Sequence, residues 1–286
     1  MFPMGDEMVL GPFQVGALRI SIAGLVLLPI AIKFRRLLTK KTFGLLLVTG
    51  FFGNLMPAMM FTIAETGISS SLAGLINMST SFFVVLIGVF IYKSPPTLLQ
   101  LVGLGVGTTG LFFVLSSQSD LASNADIRYA FFLFPATIGY AISLTTIKFK
   151  LQELPSIAIT SLSFLTILPA ALIIAFFTDA FSPVLEHPDG LKSLGYLSIL
   201  SIVGTAIAVM LFTKLIAISN HIFASAIAYM LPVVAIFIGV LDGEEFPATN
   251  YIWVVLILFG VLLMNQSKKK FDKTSEIQEE LLDNSK

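Results

Sequence analysis

Hydrophobic positions along this chain gather into long, nearly unbroken runs, without the three-four spacing of a surface helix. The runs cover roughly 12–32, 43–64, 70–92, 97–115, 128–149, 155–178, 193–215, 221–241 and 249–266. Each is close to the twenty or so apolar residues that one helical crossing of a bilayer needs. Gly, Pro, Ser and Thr recur inside the runs, as they do in membrane helices. No segment sustains the period-two alternation of a barrel strand. The pattern predicts an all-α integral membrane protein, with nine transmembrane helices in a compact antiparallel bundle.

Composition agrees with the pattern. The chain is 56% apolar and 12% charged, against about a quarter charged in a soluble domain. It contains no Cys, which excludes disulfides, thiolate chemistry and Cys-based metal sites. The formal net charge of zero hides a segregation by loop. Lys33, Arg35, Arg36, Lys40 and Lys41 follow the first run, and later lysines cluster in every second gap, at Lys93, Lys148 and Lys150, Lys214, and Lys268, Lys269 and Lys270. The gaps between hold Glu65, Asp120, Asp179, Asp189 and Glu244. The positive-inside rule therefore puts 33–42 and the C-terminus in the cytoplasm of a multi-pass cytoplasmic-membrane protein, with its first run entering from outside. That run is followed by "KFRRLLTKK" where a signal peptide would have small residues, so it is read as a retained span.

The sequence also repeats itself. Residues 43–92 superpose on 194–243 at an offset of about 151, without a gap. Gly53 meets Gly204, Phe61–Thr62 meets Phe212–Thr213, Ala73 meets Ala224, and "IGV" at 87–89 meets "IGV" at 238–240. A helix, 128–149, precedes Pro155 in the second unit, whereas only eleven residues precede the first run. Units of five helices would cross with opposite polarity, as an inverted repeat. The expected organisation is a lead at 1–11, a first repeat at 12–115 one helix short, a second at 128–266, and a charged cytoplasmic tail at 267–286. A further apolar span upstream of Met1 is expected on this reading.

The run "FTKLIAISNHIFASAIAYMLPVVAIFIGVLDGEEF" has a Pro in mid-helix and a Gly-Glu pair after it. It resembles the second repeat of EamA-type transporters, of the drug/metabolite transporter superfamily. "QVGALRISIAGLVLLPIAI", with Arg19, resembles that family's second helix. The resemblance covers Pro12 to Gln266 and implies a ten-helix inverted-repeat bundle that carries small metabolites through a central cavity. Two departures are visible: the first family helix is absent, and "YKSPPT" stands where the first repeat would have its Gly-Glu pair, which leaves only Gly243 and Glu244 in that role.

Polar groups inside an apolar run must find partners or line a cavity. Asn54 and its repeat counterpart Thr205 stand at mid-span, each just after a Gly. They suit either a substrate site between repeats or an interhelical hydrogen bond. Asn77, in a polar stretch with Ser79, Thr80 and Ser81, and Tyr229, three residues before Pro232, are further candidates, as is Tyr140. The substrate-site candidates are therefore Asn54, Asn77, Tyr140, Thr205 and Tyr229, with packing as the alternative for each. Arg19 reads as a structural anchor able to snorkel, Lys214 as a topology signal, His221 as a cap, and Gly103, Gly107 and Gly110 as a close-packing face. Every Asp and Glu falls in a terminus, a loop or at a span end, so proton coupling, exchange and facilitated diffusion all stay open.

These features predict a transporter of amino acids, nucleosides or drug-like compounds, working by alternating access. No catalytic residue, cofactor, metal or nucleic-acid partner is expected; the partners are a small metabolite and the bilayer, and a homodimer is left open. Two other readings stand beside it. One is an inactive fragment lacking its first helix. The other is a membrane-embedded enzyme, for which two His and no mid-span carboxylate supply little acid–base or metal chemistry.

Overall fold

The computed structural model describes residues 9–68, 70–116, 127–219, 221–229 and 251–264, and among these there is no strand. Helix α1 spans Pro12–Leu37 and α2 spans Lys40–Ala64. The third apolar run is two helices, α3 (Ser70–Asn77) and α4 (Ser79–Phe90). Then follow α5 (Leu98–Ser116), α6 (Arg128–Lys150), α7 (Ser156–Phe177), α8 (Gly190–Ile218) and α9 (Tyr251–Met264). Among the described residues, α1, α2, α6, α7 and α8 are each long and apolar enough to cross a membrane. The run at 221–241 is described only as far as a short helix, His221–Ser225, and one 3₁₀ turn, Ala226–Tyr229. Pro232, Gly243, Glu244 and the charged tail lie outside the described residues.

Local chemistry sets the boundaries. Pro12 opens α1 at a position whose N–H would have no partner. The Thr39 hydroxyl accepts from the Thr42 backbone N–H and starts α2. The break at Met78 falls in the polar stretch. There the Ser79 hydroxyl donates to the Ile76 carbonyl at 2.6 Å, and the Thr80 hydroxyl reaches Asn77 Oδ1 at 3.4 Å. Side chains that bond their own backbone in this way weaken helix continuity.

The centre of the bundle is α1 against α7, the most extensive helix pair. Gln14 at the start of α1 donates to the Thr178 carbonyl just past the end of α7, at 2.8 Å, so the two run antiparallel. Small residues are buried on both helices, Ala17, Ala23 and Ala31 on α1 and Ala158, Ala171 and Ala175 on α7, beside larger ones such as Ile20 and Phe164. Backbones in lipid approach closely only where side chains are this small. At Gly50 of α2, a Cβ would stand 2.6 Å from the Ser163 carbonyl oxygen of α7. Gly260 of α9 lies against Gly103 and Gly107 of α5, and a Cβ there would stand 2.6 Å from the Gly107 nitrogen. Phe113 and Trp253 stack beside this contact at 4.3 Å. Large apolar side chains face outward instead, with Phe177 and Leu98 among the most exposed, as a lipid-facing surface requires.

One irregularity occurs twice. Helix α2 widens into a π-turn over Phe51–Leu55, and α8 widens over Ile202–Ile207. The two begin at residues 51 and 202, which is the offset of about 151 at which the sequence repeats. A π-turn adds a residue to the helical ladder and recurs at functional positions.

Candidate functional site

A cavity of about 810 Å³ lies between α1, α2, α6, α7 and α8, and both π-turns face it. Asn54, Asn77, Tyr140 and Thr205 all line it. Tyr229 ends the 3₁₀ turn Ala226–Tyr229, and its side chain lies outside the described residues.

Thr205 is 3% exposed. Its hydroxyl donates to the Leu200 carbonyl at 3.3 Å, five residues back, a reach that the π-turn makes available. The same oxygen accepts from Arg19 Nε at 2.7 Å. Arg19 therefore lines the cavity and is not turned out to lipid, as a snorkelling anchor would be. The physical reason is the partner: Thr205, 186 residues away in sequence, offers an acceptor at the depth where Arg19 enters.

Asn54 is 8% exposed, and its carboxamide makes no hydrogen bond among the described residues. The Tyr140 hydroxyl likewise has no partner among them, while its ring leans on Phe61 with centroids 6.0 Å apart. Asn77 accepts only the long bond from Thr80. Of the other hydroxyls near the cavity, Ser163 Oγ is buried without a hydrogen-bond partner among the described residues, while others are satisfied internally. Ser143 donates to the Thr49 carbonyl at 3.2 Å, and Thr160 donates to Thr213, itself bonded to the Val209 carbonyl. The Asn54 amide, the Tyr140 phenol and the Ser163 hydroxyl are thus among the polar groups left to meet a ligand.

Glu65, just past the end of α2, also lines the cavity. Its side chain reaches solvent, yet enough protein surrounds it to raise its carboxyl above the ordinary range, while the Arg19 charge pulls the other way. The far wall is aliphatic, with Leu144, Ile147, Ile159 and Ile216 all buried in one core cluster. Along α8 the lining residues Gly204, Ala208 and Leu211 are exposed, so the cavity opens sideways there. Among the described residues, no three His, Cys, Asp or Glu side chains gather into a group that could hold a metal.

Sequence reasoning read Arg19 as a snorkelling structural anchor and Glu65 as a loop charge, and named neither as a site residue. The signal for Arg19 was its presence inside an apolar run, which by itself marks a functional position. Glu65 gave none, since a carboxylate one residue beyond a span reads as an ordinary loop charge.

The site can be set beside known proteins. A solved crystal structure of a protein matches with a TM-score of 0.66 at 17% identity, covering 92% of this chain and 89% of that one, and so shares the fold. No curated protein matches the sequence. The model of the EamA-like transporter family matches twice, over residues 2–116 and 127–266. The chain therefore belongs to the EamA-like transporter family, within the drug/metabolite transporter superfamily of membrane proteins.

Proposed function

We propose that this protein moves a small metabolite, of the amino-acid, nucleoside or drug-like class, across the cytoplasmic membrane by alternating access through the cavity. The observation that carries this reading is the placement of Asn54 and Thr205. Repeat counterparts in sequence, they sit in matching π-turns on opposite units and line one cavity. Binding between two repeats, at irregular helix turns, is the arrangement by which rocking of one unit against the other exposes a site to each side in turn. The loop charges support an orientation with 33–42 and the C-terminus inside. The aliphatic wall at the Ile147–Ile216 end then faces the cytoplasm, and Glu65 faces out.

The experiment is untargeted mass spectrometry of intracellular and extracellular metabolites, in a deletion strain and an overexpressor. The expected result is at least one solute that accumulates on opposite sides in the two strains. No reproducible difference, with the protein shown to be in the membrane, overturns the reading.

A further inference from the structure

Helix α8 is held differently along its length. Of the five long spans it buries the smallest share of its residues, so it has the least packing to lose on moving. Its π-turn is fixed to α1 through Arg19 and Thr205. Beyond that turn, Ala208–Ile218 is regular helix, and its end meets α6. The last four carbonyls of a helix have no partner within it and form its negative pole. Lys148 of α6 occupies this pole. Its Nζ donates to the Ser219 carbonyl at 2.5 Å and to the Ile216 carbonyl at 3.4 Å. Thr160 of α7 adds one neutral bond, to Thr213 at 3.0 Å.

These contacts stand at the closed end of the cavity. Ile147, the residue before Lys148, and Ile216, whose carbonyl Lys148 holds, both line the cavity and are buried. With Leu144 and Ile159 they seal that end. The opposite end reaches solvent at Glu65, which lines the cavity and is exposed. A site that serves two sides in turn needs the seal to part, and moving Ile216 away from Ile147 breaks the bonds to Lys148. Resting on the transporter reading above, we propose that Lys148 is the latch of the cytoplasmic gate. Its ammonium on the C-terminus of α8 keeps the cavity closed inward, and its release lets Ala208–Ile218 swing about the π-turn. The Arg19–Thr205 bond belongs to the fixed part of the helix and survives the swing.

The test reads which end of the cavity is open, using single cysteines in the Cys-free full chain. Thr62→Cys reports the Glu65 end, and Ala224→Cys, buried in the cluster that forms the seal, reports the closed end. Each is labelled with a membrane-impermeant maleimide in intact cells and in inside-out vesicles. Loss of a hydrogen bond from a charged donor shifts such an equilibrium about tenfold or more. Lys148→Met should therefore speed labelling of Ala224→Cys in inside-out vesicles about tenfold, without speeding that of Thr62→Cys in cells. Lys148→Arg keeps the cation and its reach, and should stay near the parent at both reporters. If Lys148→Met does not reach the membrane, Lys148→Gln is read in its place. Unchanged labelling overturns the proposal, and so does a rise at both reporters together, which is general loosening. A rise at Ala224→Cys from the cell exterior overturns it too, since the latch would then guard the other face. Labelling needs no solute, so the two readings separate. Reporters that move as expected, with no solute displaced in the metabolite comparison, keep the latch and defeat transport. A solute found there, with labelling indifferent to Lys148→Met, keeps transport and defeats the latch.

Discussion

The Thr205 hydroxyl joins two parts of the molecule, donating along α8 and accepting from Arg19 of α1. Thr205→Val keeps the shape and removes both bonds, leaving a charged donor without its acceptor. The expected cost is about 1.5–3 kcal/mol of stability, the range for a hydrogen bond to a charged group, read as a lower denaturation midpoint in detergent. Thr205→Ser keeps the oxygen and should stay within about 1 kcal/mol of the parent. Asn54 and Tyr140 should behave in the opposite way. Neither polar group holds another described residue, so Asn54→Ala and Tyr140→Phe should leave thermal unfolding nearly unchanged while each reduces transport about tenfold, a loss equivalent to about 1.4 kcal/mol. A loss of stability equal to the loss of transport would make them packing residues.

At the scale of elements, the close contacts are backbone against backbone and cannot relax by rotating a side chain. Gly260→Val drives two methyl groups into Gly103 and Gly107. It should destabilise by about 1–3 kcal/mol or more, measured as a lower thermal midpoint of the purified protein. Much of this level was legible in the sequence. The apolar runs were visible because a bilayer constrains both the length and the polarity of whatever crosses it, and the glycines of α5 were visible as small residues at helical spacing. The break at Met78 and the two π-turns were not. No residue type marks a π-turn, and whether Ser79 bonds its own backbone depends on competing partners, Thr137 of α6 being one at 3.2 Å. The site divides along the same line. Asn54 and Thr205 could be found as polar counterparts in a repeat, but the direction in which Arg19 turns is decided by a neighbour in the other unit.

For the whole molecule, loop charge predicts the orientation, and the Cys-free chain makes it easy to test. Single cysteines at Lys40 and Asp189 should label differently in intact cells. Asp189→Cys should react with a membrane-impermeant maleimide, and Lys40→Cys only after permeabilisation. The reverse pattern would invert the assignment of the Glu65 end to the outside.

The π-turns have a consequence for the phase of the helices that carry them. Four residues of an α-helix turn through about 400°, so a row at every fourth position slides about 40° round the barrel with each step. In α2 such a row, Thr49, Gly53, Pro57, Phe61 and Glu65, nevertheless meets the cavity at every step. In a π-turn the ladder closes five residues back, and four residues fall short of a full circle, so the drift reverses there and the row stays aligned. In α8 the row Gly204, Ala208, Phe212 and Ile216 is held to the cavity in the same way. Deleting any one residue from 51–55 would let the turn close as an ordinary α-turn, whose four residues turn through about the same 400° as the five they replace, so Phe61 and Glu65 would keep the cavity face. What would be lost is the widened turn that carries Asn54, in a helix still apolar enough to insert.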